Sequence, residues 1–423
     1  MSRRFKFVVL GLSALILSYS VLGHVLSKSA NEGAYRQLTV FSQVLNRIKT
    51  DYVDDPSLPT VTVGALHGLL ESLDPYSGYL SPREYTEFQK RQHNGKASLG
   101  AVFSKRFGYL AVVAVVPGGP AARAGLRTGE LIETVEGFST RDMSIAQARQ
   151  LLDGQPGTPV RMAVIRRGRS ESQPLDLVRA EVPTPPMGVE LRLGGASDLA
   201  RVKVLSLDKG RAEELRNKLQ QLEKAGARKL IFDLRDCAAG DPDEAIEVAR
   251  LFIEKGVITS RRGQTVPREE FTAEASRVAW PHPLEVLIDA GTAGPAEIVA
   301  AAVLDHRRGE AIGERSWGIG STQKLIPLDD GSALILSVAK YYSPAGKAIQ
   351  ENGIMPTVVV QTESEDNVAL LDENIPQAQP ELRGEPPQED PILRKAIELF
   401  RSKEGQSRAI VPPVERRAGA ESM

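Results

Sequence analysis

Between Arg201 and Gly313 short apolar stretches alternate with amphipathic ones, and this alternation limits the fold more than any other feature of the chain. Arg201–Leu207, Lys229–Leu234, Glu285–Asp289 and Glu310–Gly313 read as strands. Arg211–Ala225, Asp243–Glu254 and Ala296–Asp305 read as helices. Strands separated by helices of this length imply a layered α/β core. Two further strands, Lys324–Leu328 and Ala333–Tyr341, flank the hairpin signal Asp-Asp-Gly-Ser. The stretch Met-Pro-Thr-Val-Val-Val, 355–360, closes a domain expected over 181–362.

The last strand–helix junction of the alternation, "DAGTAGPAEIVAAAVLD" over 289–305, is a strand end, a tight glycine turn and a helix start. Enzymes often mount a nucleophile on such a turn. Residues 291–296 here are Gly, Thr, Ala, Gly, Pro and Ala, with neither serine nor cysteine.

A chain of 423 residues has room for two or three domains. Arg3, Arg4 and Lys6 precede a twenty-residue apolar run, Phe7–Leu26, long enough at about 1.5 Å per residue to cross a bilayer core. The basic flank stays on the cytoplasmic side, so the bulk of the chain is expected to be exported and held at the cell inner membrane by a single pass. A cleaved signal peptide over 1–30 is the rival reading, although Leu-Ser-Lys-Ser-Ala lacks a clean cleavage pattern. Residues 31–96 keep helical spacing at Leu38, Phe41, Val44, Leu45 and Ile48, and again at Leu66, Leu69, Leu70 and Leu73. Ser81, Pro82 and Glu84 form a helix start with a capping box. From 97 to 180 strands and glycine turns take over. An apolar strand covers Tyr109–Val116, a short helix Pro120–Ala124, and a strand Glu130–Val135; a helix in Ser-Ile-Ala-Gln-Ala-Arg-Gln-Leu-Leu and a strand from Pro159 follow. Residues 363–423 are acidic and proline-rich, with one helix capped by Asp390 and carrying Ile392, Leu393, Ala396, Ile397 and Phe400; the last twenty or so residues read as disordered.

The run Gly-Pro-Ala-Ala-Arg-Ala-Gly-Leu at 119–126 resembles a bacterial PDZ domain, which captures a peptide C-terminus as an added strand. The resemblance places the carboxylate-binding loop at Ser98, Leu99, Gly100 and Ala101, and the peptide-pairing strand at Val102 and Phe103. Six ordered segments widen the likeness: "LDPYSGYLSP", the PDZ run, "LIFDLRDCAAG", "GTAGPAEIVAAAVLD", "SWGIGSTQ" and "YYSPAGKAIQENGIMP". Together they resemble the carboxyl-terminal processing, or tail-specific, protease family, serine-type peptidases that contain a PDZ domain. The family implies an α/β multidomain chain: an N-terminal transmembrane helix here, a small helical region, a PDZ domain and a crotonase-like α/β peptidase core.

Its chemistry is a serine–lysine dyad, in which a desolvated neutral lysine takes the proton of the attacking serine. The serine lies in a Gly-Ser-Ala-Ser-Ala-Ser-Glu-Ile turn and the lysine in a Phe-Gly-Lys-Gly-x-x-Gln turn. On this chain the nucleophile position is Gly294 and the base position is Ile319, twenty-five residues on, as in the family. Gln323 matches the supporting glutamine. The family's oxyanion segment, Asp-Leu-Arg-x-Asn-Pro-Gly-Gly, reads Asp233-Leu234-Arg235-Asp236-Cys237-Ala238-Ala239-Gly240. Had the lost glycine needed positive φ, Ala239 would shift the oxyanion N–H.

Rescue by another group is weighed residue by residue. Thr292, Ser316 and Ser321 read as turn and loop hydroxyls. Cys237 could serve as a replacement nucleophile, yet a lone cysteine is commonly a small buried apolar residue. His306 could act as its base only across a helix. His24, His67, His93 and His282 form no pair or metal cluster, and no cofactor motif is present. A formal net charge of −1 gives no reason to expect nucleic acid. The expectation is a pseudoprotease that binds protein C-termini or unfolded polypeptide in the cell envelope, alone or with an active paralogue in a hetero-oligomer. An active endopeptidase with a shifted nucleophile is the alternative, and a PDZ scaffold the third reading.

Overall fold

The structure, a computed structural model, describes residues 36–94, 97–360 and 390–409. The apolar run Phe7–Leu26, most of the acidic stretch after 362 and the end of the chain lie outside the described residues. Among those described, no helix is long and apolar enough to cross a membrane. The chain divides between Gly68 and Leu69 into two compact units. The first carries a helix α1 over 36–51, on which Leu38, Phe41 and Val44 are exposed, and most of α2 (Leu58–Glu71).

The second unit starts at Leu69 with the end of α2, and its first whole helix is α3 (Pro82–Asn94). Its start is the expected capping box: the Ser81 N–H donates to Glu84 at 2.8 Å and the Glu84 N–H returns to Ser81 Oγ at 3.4 Å. The PDZ sheet follows, β1 (Ala101–Arg106), β2 (Tyr109–Val115), β3 (Leu131–Val135), β4 (Pro159–Ile165) and β5 (Ser172–Val178), hydrogen-bonded in the order β1-β2-β3-β4-β5. Helices α4 (Pro120–Arg123) and α5 (Ile145–Leu152) complete it. Leu99, Phe103, Leu110, Ile132, Leu152 and Val164 belong to its buried core.

The α/β core has a sheet whose strands neighbour one another in chain order: β6 (Gly188–Leu191), β7 (Leu199–Lys203), β8 (Lys229–Asp233), β9 (Leu284–Ile288), β10 (Gly309–Gly313) and β11 (Val358–Val359). Only the β6–β7 pair is antiparallel. Helices α6 (Arg211–Lys224), α7 (Pro242–Arg250) and α8 (Pro295–Asp305) follow β7, β8 and β9. Alternation along the strands splits the burial. Leu230, Phe232 and Val286 join the cluster under these helices. Leu199, Ile231, Leu287 and Ile312 form a separate cluster with Ile392, Ala396 and Phe400 of α9 (Pro391–Ala409). That helix is tied down by charge as well. Asp390 accepts from the Leu393 N–H at 3.0 Å and from Arg235 at 2.8 Å, while Arg235 also pairs with the fully buried Asp233.

Several boundaries differ from expectation. The strand expected over Arg201–Leu207 is two pieces: β7 ends at Lys203, and Ser206–Leu207 pairs in parallel with Ala239–Gly240. The helix expected to reach Glu254 ends at Arg250, where the chain tightens into three-residue bonds, Leu251 N–H to Val248 O and Phe252 N–H to Ala249 O. Gly78–Leu80, inside the stretch read as helical, is a buried strand paired with Ala333–Tyr342. That long strand also pairs with Ser321–Pro327, closing the expected hairpin, and with Val257–Arg262, which the sequence did not mark.

Candidate functional site

The turn between β9 and α8 is drawn tight by buried polar groups. Asp289 accepts from the N–H groups of Gly291 (2.9 Å) and Asp236 (3.1 Å). The buried Thr292 hydroxyl donates to the Leu234 carbonyl at 2.9 Å and accepts from the Asp289 N–H at 3.0 Å. It is committed to holding the turn. Gly294, next but one, has φ 60° and ψ −119°. L-residues rarely adopt that conformation, and it is the kind of strained strand-to-helix bend on which a nucleophile is mounted. A Cβ placed there would stand 3.7 Å from the Ala238 carbonyl and 4.0 Å from the Ile319 carbonyl, so space is available and only the backbone conformation resists a side chain.

Glu297, one turn into α8, joins the two candidate turns. One carboxylate oxygen accepts from the Gly294 and Ile319 N–H groups, both at 2.8 Å. The other accepts from the Gly318 N–H at 2.7 Å and the Ser316 hydroxyl at 2.5 Å. Ser316 is itself satisfied by the Ile354 N–H at 2.6 Å. The structure thus brings Gly294 and Ile319 to the same oxygen atom. The sequence alone assigns Glu297 no role. Its signal was an acid three residues after a turn glycine, the capping-box spacing.

Burial pushes the Glu297 carboxyl up to about 7, against the pull of its donors, and burial together with the neighbouring Asp236 charge pushes Asp289 up to about 7. Unfolding returns both to the ordinary range near 4. From about pH 4.5 to 7 the folded chain therefore holds protons that the unfolded chain has released. Their stabilising contribution is complete below that window and lost as pH rises through about 7. Stability is expected to fall between about pH 5 and about pH 8 by of order 2–3 kcal/mol per acid, and the melting temperature with it. Calorimetry across that interval checks this, and a melting temperature that rises would overturn it.

Ile319 is half-buried against a small apolar cluster. Val113 and Ala114 of β2, Ala238 and Ala293 are buried, with Val102, Trp317 and Ile319 packed on them. The PDZ strands thus press directly on the turns that carry Gly294 and Ile319. Gln323 is exposed and donates to the hydroxyls of Ser321 and Ser337; among the described residues no hydrogen bond links it to Gly294 or Ile319.

The oxyanion segment departs less than expected. Positive φ falls on Gly240 (131°), not on Ala239. A Cβ on Gly240 would meet the Leu207 backbone at 2.4 Å, so the glycine that the geometry requires is present and Ala239 imposes no strain. Cys237 is fully buried, its thiol pushed well above the usual range by burial and nearby carboxylates. It packs within the main core, as a small apolar residue would. His306 ends α8 and binds the Val257 carbonyl at 2.8 Å. Among the described residues no group of three or more His, Cys, Asp or Glu side chains is placed to hold a metal.

In the PDZ sheet β1 pairs only with β2 among the described residues, which leave its other edge free of strand partners. Before it, the Leu99 and Gly100 carbonyls are tied inward by the N–H groups of Ala121 and Val116, both at 2.8 Å, and the Gly100 N–H reaches Ser98 Oγ at 3.2 Å. Gly100 has φ 69°, a turn that glycine makes freely. Ala101 starts β1. Phe103 points into the PDZ core and Val102 into the cluster around Trp317 and Ile319. At the end of the sheet where Arg106 of β1, Leu131 of β3 and Ile165 of β4 come together lies a cavity of about 710 Å³ whose lining also includes Tyr76, Ser104, Arg167, Arg315 and Trp317. At one point of its wall the Tyr76 and Ser104 hydroxyls are 2.8 Å apart.

Comparison with known proteins agrees with this architecture. Residues 198–360 match peptidase family S41 and residues 112–166 match a PDZ domain. The carboxy-terminal-processing protease of Bartonella bacilliformis is 31% identical over 368 residues, which is 85% of this chain and 83% of that one. The carboxy-terminal processing protease CtpA of Bacillus subtilis is 30% identical over 355 residues, 84% of this chain and 74% of that one. Among solved structures, the photosystem II D1 C-terminal processing protease aligns with a TM-score of 0.64 at 26% identity, over 77% of this chain and 93% of that one.

Proposed function

This chain belongs to the carboxyl-terminal processing proteases of peptidase family S41, and from that premise we propose that it binds polypeptide C-termini without cutting them. The observation that carries the reading is the pair of residues at the two turns. Gly294 and Ile319 rest on one oxygen of Glu297, where the family's dyad would need a hydroxyl and an amine. Glycine has no atom to attack a carbonyl, and isoleucine has none to take a proton. The groups that could stand in are engaged elsewhere. The Thr292 and Ser316 hydroxyls are bonded within their turns, and the Cys237 thiol is buried and disfavoured as a thiolate.

What is left of the family's cycle is capture. The free edge of β1 suits an added strand, and the loop at Ser98–Ala101 is where backbone donors would receive a terminal carboxylate. Capture at that edge would bring a tail beside the cluster of Trp317 and Ile319. In this reading Phe7–Leu26 anchors an exported chain in the inner membrane, and the chain serves as an adaptor or as the inactive subunit beside an active paralogue.

One experiment tests both halves. The full chain is titrated calorimetrically with an apolar-ended peptide as free acid and as amide, and the recovered peptide is weighed by mass spectrometry. The free acid is expected to bind with micromolar affinity, about −8 kcal/mol, and to be recovered intact. The amide, lacking the charge-assisted bonds of the carboxylate, is expected to bind far more weakly. Equal affinities would remove the C-terminus reading. Cleavage that disappears in Cys237→Ala would replace the pseudoprotease reading with a shifted nucleophile.

A further inference from the structure

We propose that the arginine-lined cavity between the PDZ domain and the turn carrying Trp317 binds acidic side chains of a polypeptide held in the cleft, a subsite separate from the loop that takes the terminal carboxylate. The proposal rests on reading this cleft as a polypeptide site. Arg106, the last residue of β1, lies over the Trp317 ring at 5.2 Å and the Phe107 ring at 5.6 Å. Among the described residues its guanidinium has no hydrogen-bond or carboxylate partner. Arg167 and Arg315 line the same cavity and spend their donors on neutral carbonyls, Arg167 on Thr128, and Arg315 on Asn352 and Glu351, both at 2.8 Å. Two carboxylates, Glu314 and Glu351, also line it, and the nearby Arg166 is paired with Glu130 at 2.9 Å.

Burial, then the like charges of Arg315 and Arg167, hold the Arg106 guanidinium below its ordinary range, so the charge there is both partly desolvated and repelled. A half-buried cation without a counterion is costly, and an arriving carboxylate would remove that cost. Trp317 and Phe107 lie against the guanidinium, and its N–H groups, which make no hydrogen bond among the described residues, suit the two-point contact a carboxylate makes. About 710 Å³ admits a few side chains, which suits an extended peptide better than a single small ion. Trp317 stands two residues before Ile319, so occupancy would be felt at the base turn. The sequence gives no sign of this site, because its cations come from three segments far apart along the chain.

The test uses the full chain and a fluorescein-labelled peptide of Glu and Leu with an amidated C-terminus, followed by fluorescence anisotropy. Amidation removes the group the PDZ loop would read, so binding reports the side chains. The Glu peptide is expected to bind at least about tenfold more tightly than the same peptide with Gln for Glu, as charged hydrogen bonds imply. Its affinity should fall as NaCl is raised from about 50 to about 500 mM. Arg106→Gln should remove most of that preference, and Arg167→Gln with Arg315→Gln should reduce it by a similar factor even if the first variant folds poorly. Equal binding of the Glu and Gln peptides would overturn the proposal, as would wild-type preference in both variants. An apolar free-acid peptide run alongside separates the readings: if it alone fails to bind, the terminal-carboxylate loop is at fault and the arginine subsite stands.

Discussion

Gly294→Ser combined with Ile319→Lys is expected to make the cleft react with a fluorophosphonate probe, while either substitution alone labels no better than the parent chain. Nucleophile and base act as a unit: in subtilisin the loss of either one costs nearly as much as losing the whole triad, about 10⁶ in kcat. The site is prepared for both residues. A Cβ on Gly294 meets nothing nearer than the Ala238 carbonyl at 3.7 Å. A lysine at 319 would sit among Val102, Ala238 and Ala293, apolar surroundings that lower an amine's pKa toward the neutral form a base requires. Ala239 needs no accompanying change, because its backbone is unstrained. The serine itself costs about 1–3 kcal/mol, since φ 60° and ψ −119° suit glycine better, so the double variant should melt below the parent. A folded double variant that fails to label in a fluorescence gel would show that these two positions do not form a dyad.

The second large effect is on stability. Glu297→Ala should destabilise the chain by more than about 4 kcal/mol, a size that marks a broken buried network. The change strands the N–H groups of Gly294, Gly318 and Ile319 and the hydroxyl of Ser316, each buried or half-buried and each costing about 1–3 kcal/mol when left unpaired. Domains are stable by only about 5–15 kcal/mol, so much of the variant is expected in the insoluble fraction. Urea unfolding followed by tryptophan fluorescence measures the loss. A variant within about 1 kcal/mol of the parent would mean the four contacts are not a clamp.

What could be read from the sequence depended on how local its cause was. Strands β8 and β9 were legible because Leu230–Phe232 and Val286–Ile288 are buried on both faces, which leaves an unbroken apolar run. The capping box at Ser81 was legible because all its partners lie within four residues. Gly78–Leu80 was not, since three residues show no period, and its pairing partner is more than two hundred positions away. Strand β5 was hidden by its polar outer face and by Pro174, which an edge strand tolerates. At the site, Gly294, Ile319 and the altered oxyanion segment were visible through resemblance. Which glycine of that segment is needed was not, because the close approach to Leu207 exists only once two distant strands meet. The roles of Glu297 and Arg106 likewise depend on donors and charges brought together by the fold.

The bend at Gly294 also gives sequence drift a direction. Because Glu297 grips the two turns by their backbones, neither turn depends on the side chain it displays. For a chain of this fold, replacing a bend-borne serine by glycine relaxes the backbone, and replacing a confined amine by isoleucine removes the cost of burying a polar group and holding it neutral. Both steps run downhill in stability once cutting is no longer selected, and both returns run uphill. Such a pair of turns behaves as a ratchet: the scaffold persists, silencing is easily entered, and recovery needs two unfavourable changes to arrive together.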